Sequence, residues 1–326
     1  MKKKTSLLLI LSTVLILSFM SGSIITASPS TSAVNEVTEA QKAPIMMAYY
    51  RTWRDITMPH DANSTLPYPN VTAMTDIPAE VDIVSVFHYV KPGTDEQLFW
   101  DTLRDTYVPI LHERQTKVIR TIDIRELYNV PSMGTMPTSK EYDDHAQTLI
   151  DKYLTPYNLD GLDIDMEENL TQEKETKAFG VFEALSKRLG PMSNSGKLLI
   201  YDTNKDNHSL FKKVAPFCDY LFLQAYGRDP GRLDSTWATY RNTIFPDQFL
   251  LGISFQEELG ANWADTQEPF ETSRAYKYAV WQPEDGPKGG MFIYAIDRDG
   301  KEYGDNTITE TDFSWTKKLI DVLKNN

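Results

Sequence analysis

Between residues 45 and 296 the chain repeats one pattern: a short apolar run, a longer polar or amphipathic stretch, then another run. The runs are Ile45–Tyr50, Val81–Tyr89, Val118–Ile124, Leu159–Met166, Leu198–Asp202, Tyr220–Ala225, Phe249–Phe255 and Met291–Ile296. Each has strand length and is rich in Ile, Val, Leu, Phe or Tyr. Helical stretches lie between several of them. Glu96–Arg114 is one. Ser139–Tyr153 follows a Thr138/Glu141 capping box, and Gln172–Leu189 has Thr171 as N-cap and Gly190-Pro191 as its stop. Thr311–Leu323 closes the chain. Strands that alternate with helices form parallel sheets covered on both faces. Eight such units without a linker predict an α/β fold, a single closed (β/α)8 TIM barrel over residues 43–326. A doubly wound open sheet is the alternative. It more often carries a glycine-rich turn after its first strand, and "MMAYYRTWRD" has no glycine.

The first 42 residues stand apart from this pattern. Lys2, Lys3 and Lys4 precede an apolar run from Leu7 to Phe19, and small and polar residues lead to Ala27. That order predicts a signal peptide over residues 1–27 and a secreted protein. A membrane anchor fits less well, because Ser12, Thr13 and Ser18 interrupt a run already short of the roughly 20 residues a span needs. Residues 28–42, "SPSTSAVNEVTEAQK", lack apolar periodicity and predict a disordered leader. The formal charge is −13, and −16 once three lysines and no acid leave with residues 1–27. Such a surface repels phosphate backbones and anionic headgroups, so neither nucleic acid nor membrane is an expected partner. Cys218 is the only cysteine, which leaves no internal disulfide. It precedes an apolar run and reads as packing. A monomer is expected.

The fourth run carries unusual chemistry. "NLDGLDIDMEENL" holds Asp160, Asp163, Asp165, Glu167 and Glu168 within nine residues. In a strand, Asp163, Asp165 and Glu167 share one face, and Leu162, Ile164 and Met166 share the other. A helix would stack Asp163 on Glu167 as like charges. A solvated edge would not need a wholly apolar opposite face. The acids therefore point down the barrel axis, with Glu167 at the carboxyl end of the strand, where such barrels hold their sites. Crowded carboxylates drive their pKa values apart, and one can keep a proton near neutrality. Paired acids of this kind cleave glycosides.

Asp160-Gly161-Leu162-Asp163-Ile164-Asp165-Met166-Glu167 resembles the D-G-x-D-x-D-x-E signature of glycoside hydrolase family 18. Leu223-Gln224-Ala225-Tyr226-Gly227 is similar to the sixth strand of that family. Its Gln-x-Tyr form resembles the endo-β-N-acetylglucosaminidase branch, where chitinases carry Met-x-Tyr-Asp. In Gly289–Asp297, Tyr294 stands where chitinases usually place tryptophan. The third strand, "KVIRTIDI", lacks the Ser-x-Gly-Gly often seen in the family.

The resemblance implies hydrolysis of the GlcNAc-β-1,4-GlcNAc core of N-glycans on glycoproteins, by substrate-assisted retaining catalysis without metal or cofactor. Glu167 would be the acid/base, Asp165 would orient the substrate acetamide, Asp163 would support Asp165, and Tyr226 would donate to the acetamide oxygen. Gln224, Tyr294, Tyr49, Trp53, His88 and Trp281 are the candidate substrate contacts. A chitinase and a non-catalytic sugar-binding barrel are the alternatives, along with a metal-dependent hydrolase. The loops Arg51–Glu80 and Arg125–Pro137 are expected to set glycan preference.

Overall fold

The structure, a computed structural model, describes residues 43–206 and 208–325. The expected signal peptide (1–27) and leader (28–42) lie outside the described residues. The strands are β1 (Ile45–Arg51), β2 (Ile83–Phe87), β3 (Lys117–Asp123), β4 (Gly161–Met166), β5 (Leu198–Thr203), β6 (Tyr220–Gln224), β7 (Phe249–Ser254) and β8 (Gly290–Tyr294). Each pairs in parallel with the next, and β8 pairs with β1, closing the predicted barrel. Closure removes every sheet edge, so the ladder hydrogen bonds are satisfied all the way round.

Alternation along each strand splits the apolar residues into two layers. Met47, Ile83, Ile119, Ile200, Phe222, Leu250 and Phe292 fill the barrel interior. Leu162, Ile164 and Met166 pack outward, in the layer between sheet and helices. Gly252 is required by this interior: a Cβ there would sit 2.1 Å from the Phe292 ring. Phe292 in turn packs edge-on against Tyr49 and Tyr226, directly beneath the mouth.

Helix Ser139–Tyr153 has the predicted bounds, and the Thr138 side chain accepts from the Glu141 amide in a full capping box. Thr171 caps Gln172–Leu185, which ends four residues short of the expected Leu189. The expected single helix over 96–114 is instead three segments. A widened π turn at Leu103–Tyr107 joins Gln97–Thr102 to Val108–Glu113. Pro109 follows that turn, and its missing N–H would break a regular ladder there. Cys218 is 2% exposed and serves as packing.

Candidate active site

Strand register builds the site. Asp123, Asp165 and Asp202 are cross-strand neighbours at the carboxyl ends of β3, β4 and β5, and Asp163 lies one inward position deeper, beside Thr121. Asp163 is fully buried. Its Oδ2 accepts from the Tyr49 hydroxyl at 2.8 Å and from Thr121 Oγ1 at 2.9 Å. The Tyr49 hydroxyl also stands 3.0 Å from Asp202 Oδ2. Gln224 Nε2 reaches Asp202 Oδ2 at 2.9 Å and Asp165 Oδ1 at 3.2 Å. The three acids are thus tied by two neutral side chains, Tyr49 and Gln224.

Among the described residues no cationic side chain forms an ion pair with Asp163, Asp165 or Asp202, and burial favours their protonated forms. Burial, then repulsion from Glu167 and Asp163, pushes Asp165 up to about 8. Burial pushes Asp163 up to about 7 against its two hydroxyl donors. Burial and the charges of Asp163 and Asp165 push Asp202 well above the carboxylate range.

Above the acids opens a cavity of about 490 Å³, lined in part by Asp165, Glu167, Asp202, Gln224, Tyr226 and Tyr294. Glu167 follows the last residue of β4; it is exposed at the mouth and lines the cavity wall. A second cavity of about 390 Å³ shares Phe87, Asp165, Glu257 and Tyr294 with the first. Asp165 therefore borders both spaces.

A buried ion-pair network stiffens the rim. Arg51, fully buried at the end of β1, binds Asp297 at 2.9 and 2.5 Å, Glu257 at 2.8 Å and Glu258 at 2.9 Å. Arg54 also bonds Glu258. The left-handed turn at Ala295 (φ 57°), just past β8, carries the chain toward Asp297 and back to Arg51. Glu257, held this way, also accepts from the Tyr294 hydroxyl at 3.4 Å.

Of the residues expected from sequence, Asp163 lies beneath the cavity floor, and Asp165, Glu167, Gln224, Tyr226, Tyr294 and Tyr49 line the first cavity. Asp163 does not hydrogen-bond Asp165 directly; Tyr49, Asp202 and Gln224 connect them. Tyr49 offers no open ring face to a sugar, because the residue is 2% exposed and its hydroxyl is committed to acids. Trp53 and His88 line the second cavity. Trp53 is 2% exposed and packs on Phe87 and under Arg51. His88 is held between Thr52 at 2.7 Å and Glu96 at 2.9 Å, and burial and Arg120 push it down to about 3, so it stays neutral. Trp281 is a correction. It ends a helix on the approach to β8, bonds Asp234 at 2.8 Å and packs on Phe249, at the opposite end of the barrel from the mouth.

Asp202, Glu257 and Trp263 line the first cavity and were not expected from sequence. Asp202 had a signal: Leu198, Ile200 and Asp202 share one face of an apolar run, an inward acid one strand after the acidic row. Glu257 and Trp263 sit in a loop without periodicity. Among the described residues, no group of three His, Cys, Asp or Glu side chains is arranged to hold a metal ion.

A family profile described as the endo-beta-N-acetylglucosaminidase EndoS TIM-barrel domain matches residues 48–293. The chain belongs to this endo-β-N-acetylglucosaminidase family. It is 41% identical over 285 residues to endo-beta-N-acetylglucosaminidase F2 of Elizabethkingia meningoseptica, covering 86% of this chain and 81% of that relative. Against longer members of the family it spans 53% or 33% of the relative. A crystal structure of the endo-beta-N-acetylglucosaminidase from Cordyceps militaris, a double mutant in complex with fucosyl-N-acetylglucosamine-Asn, superposes with a TM-score of 0.77. It is 41% identical, covering 87% of this chain and 92% of that one. A family 18 chitinase from Pseudoalteromonas aurantia shares the fold alone, at 13% identity and a TM-score of 0.52. The chain is thus a glycoside hydrolase of the endo-β-N-acetylglucosaminidase branch of family 18.

Proposed function

We propose that this enzyme cuts the bond between the two core N-acetylglucosamines of N-glycans, leaving one sugar on the protein, with the substrate acetamide as nucleophile. The observation that carries the mechanism is Asp165 beneath Glu167 on one strand, with Gln224 and Tyr226 facing them across the cavity. Glu167 protonates the glycosidic oxygen. The acetamide oxygen attacks C1 as the C1–O bond breaks, forming a cyclic oxazolinium. Asp165, ionised, accepts the acetamide N–H, and Asp163 supports it from below. Tyr226 donates to the acetamide oxygen. Glu167, now a carboxylate, takes a proton from water, which attacks C1 and restores the configuration. The fucosyl-N-acetylglucosamine-Asn bound by the Cordyceps militaris relative is the kind of stump such a cut leaves.

Gln224 and Tyr294 favour N-glycans over chitin oligomers. Trp53 and Asn63, from the loop after β1, line the second cavity and support a role for that loop in glycan preference. Export belongs to the same proposal, on the order of charges and apolar residues in 1–27. So does a single catalytic barrel over 43–326. Among the described residues no helix is long and apolar enough to cross a membrane.

The test is Glu167→Gln, assayed on high-mannose and complex-type glycoproteins with chitin oligomers as a control. Turnover on the glycoprotein falls at least about a hundredfold, the low end for a general acid, while the fold is retained. Near-normal turnover excludes the mechanism, and preference for chitin oligomers excludes the substrate.

A further inference from the structure

We propose that Asp202 is a positioning residue that stands as a neutral acid, holding Tyr49 and Gln224 without adding a third charge beside Asp163 and Asp165. This rests on the function proposed above. The argument is one of counting protons. The Tyr49 hydroxyl has one hydrogen, yet its oxygen lies within hydrogen-bond distance of Asp163 Oδ2 (2.8 Å) and Asp202 Oδ2 (3.0 Å). It can donate to one of them. The other contact is attractive only if that carboxyl holds a proton and donates to the tyrosine oxygen. Each oxygen also accepts a second bond, Asp163 Oδ2 from Thr121 and Asp202 Oδ2 from Gln224; the shorter Tyr49 contact, to Asp163, assigns it as the acceptor of the tyrosine hydrogen. Asp202 is the donor.

Gln224 reaches the same acids from β6. Its Nε2 lies between Asp202 and Asp165, and both amide hydrogens are directed at carboxyl oxygens. That arrangement turns Oε1 away from the acids, where it can accept from a substrate N–H or O–H. The titratable groups acting on Asp202 are Tyr49 from β1, Asp163 and Asp165 from β4, Tyr201 on its own strand and Tyr226 beyond β6. Arg228, which lines the same cavity, is ion-paired with Asp206. An ionised Asp202 would add a third charge to a buried cluster. That would favour keeping a proton on Asp165 at the step where Asp165 must accept the acetamide N–H.

The experiment compares the full chain with Asp202→Asn and Asp202→Ala at pH 7. The infrared difference spectrum of wild type against Asp202→Asn, read without substrate, should lose one C=O band of a protonated carboxylic acid. Asp202→Ala, with its fold checked by circular dichroism, should lose about 10–100-fold in kcat with KM little changed, as expected for losing hydrogen bonds to a charged pair. Asp202→Asn should restore most of that loss. Persistence of the band in Asp202→Asn means that Asp202 is ionised and overturns the proposal. So does an Asp202→Ala enzyme with wild-type kcat, or a folded Asp202→Asn enzyme as slow as Asp202→Ala. If Asp202→Ala does not fold, the band and the kcat of Asp202→Asn decide alone: loss of the band with kcat near wild type supports the proposal, and any other result overturns it. The infrared reading needs no substrate, so it is independent of the Glu167→Gln test of function.

Discussion

Asp165 combines two demands that conflict. Its proposed role at the reacting centre requires an anion near the sugar, and its place in the barrel takes that anion out of water. The barrel resolves the conflict in part with a Gln224 donor, and burial and neighbouring charge still raise Asp165 to about 8. In the unfolded chain the same group titrates near 3.9, so between about pH 4 and 8 the native state binds more protons than the unfolded state. Stability must then fall as pH rises through that window. Asp165→Asn removes the titrating group. The variant is expected to melt a few degrees higher than wild type at pH 8, with the difference vanishing toward pH 4; thermal unfolding at both pH values checks this. Its kcat should fall far more than KM rises, because the lost contact strengthens as the oxazolinium forms. An Asn variant no more stable at pH 8 would mean that Asp165 is well solvated. The acidic row and its polarity were legible in the sequence, since period two places Asp163, Asp165 and Glu167 on one face. The bridging role of Tyr49 was not, because its contacts with Asp163 and Asp202 span more than a hundred residues.

At the scale of elements, the barrel wall is a set of fitted strands whose inner residues compete for one space. Gly252 on β7 leaves room for Phe292 on β8, and Phe292 supports the rings of Tyr49 and Tyr226. Gly252→Ala should cost about 1–3 kcal/mol by overpacking, measured by denaturant unfolding, and lower activity as Phe292 shifts beneath the site. The two long loops differ in role. The one after β1 is pinned by Asn70, whose Nδ2 reaches the carbonyls of Trp53, Asp55 and Met58 at 3.0–3.1 Å, and by Asp55, which accepts from Tyr50 at 2.6 Å. It is a fixed wall of the second cavity. The loop after β3 carries an exposed Met133 and contributes no residue to either cavity. Strand and helix positions were readable because periodicity and caps are local signals. The π turn and Trp281 were misread because a proline's effect on a ladder, and the end of the barrel on which a loop falls, depend on the neighbours.

At the scale of the described molecule, the buried acids of the site gather at the carboxyl ends of β3, β4 and β5. Cys218 lies apart from them, before β6, and burial raises its thiol well above its usual range. Thiolate is the reactive form, so the folded enzyme should resist alkylation and keep full activity under a thiol reagent. One thiol should titrate only after denaturation; counting reacted thiols in native and unfolded protein checks it. Rapid native labelling with loss of activity would contradict the burial of Cys218.

The amino-acid sequence by itself determined the number and order of the strands, the parallel closed barrel, and the strand and face that bear the acids. Hydrophobic periodicity and helix caps are set by neighbours a few residues apart. Only the tertiary structure decided which donors meet those acids. Tyr49, Thr121, Asp202 and Gln224 come from four different strands, and their distances follow from barrel closure and register. The state of a buried carboxyl depends on that company, because in a dry interior each missing cation has to be replaced by a shared proton.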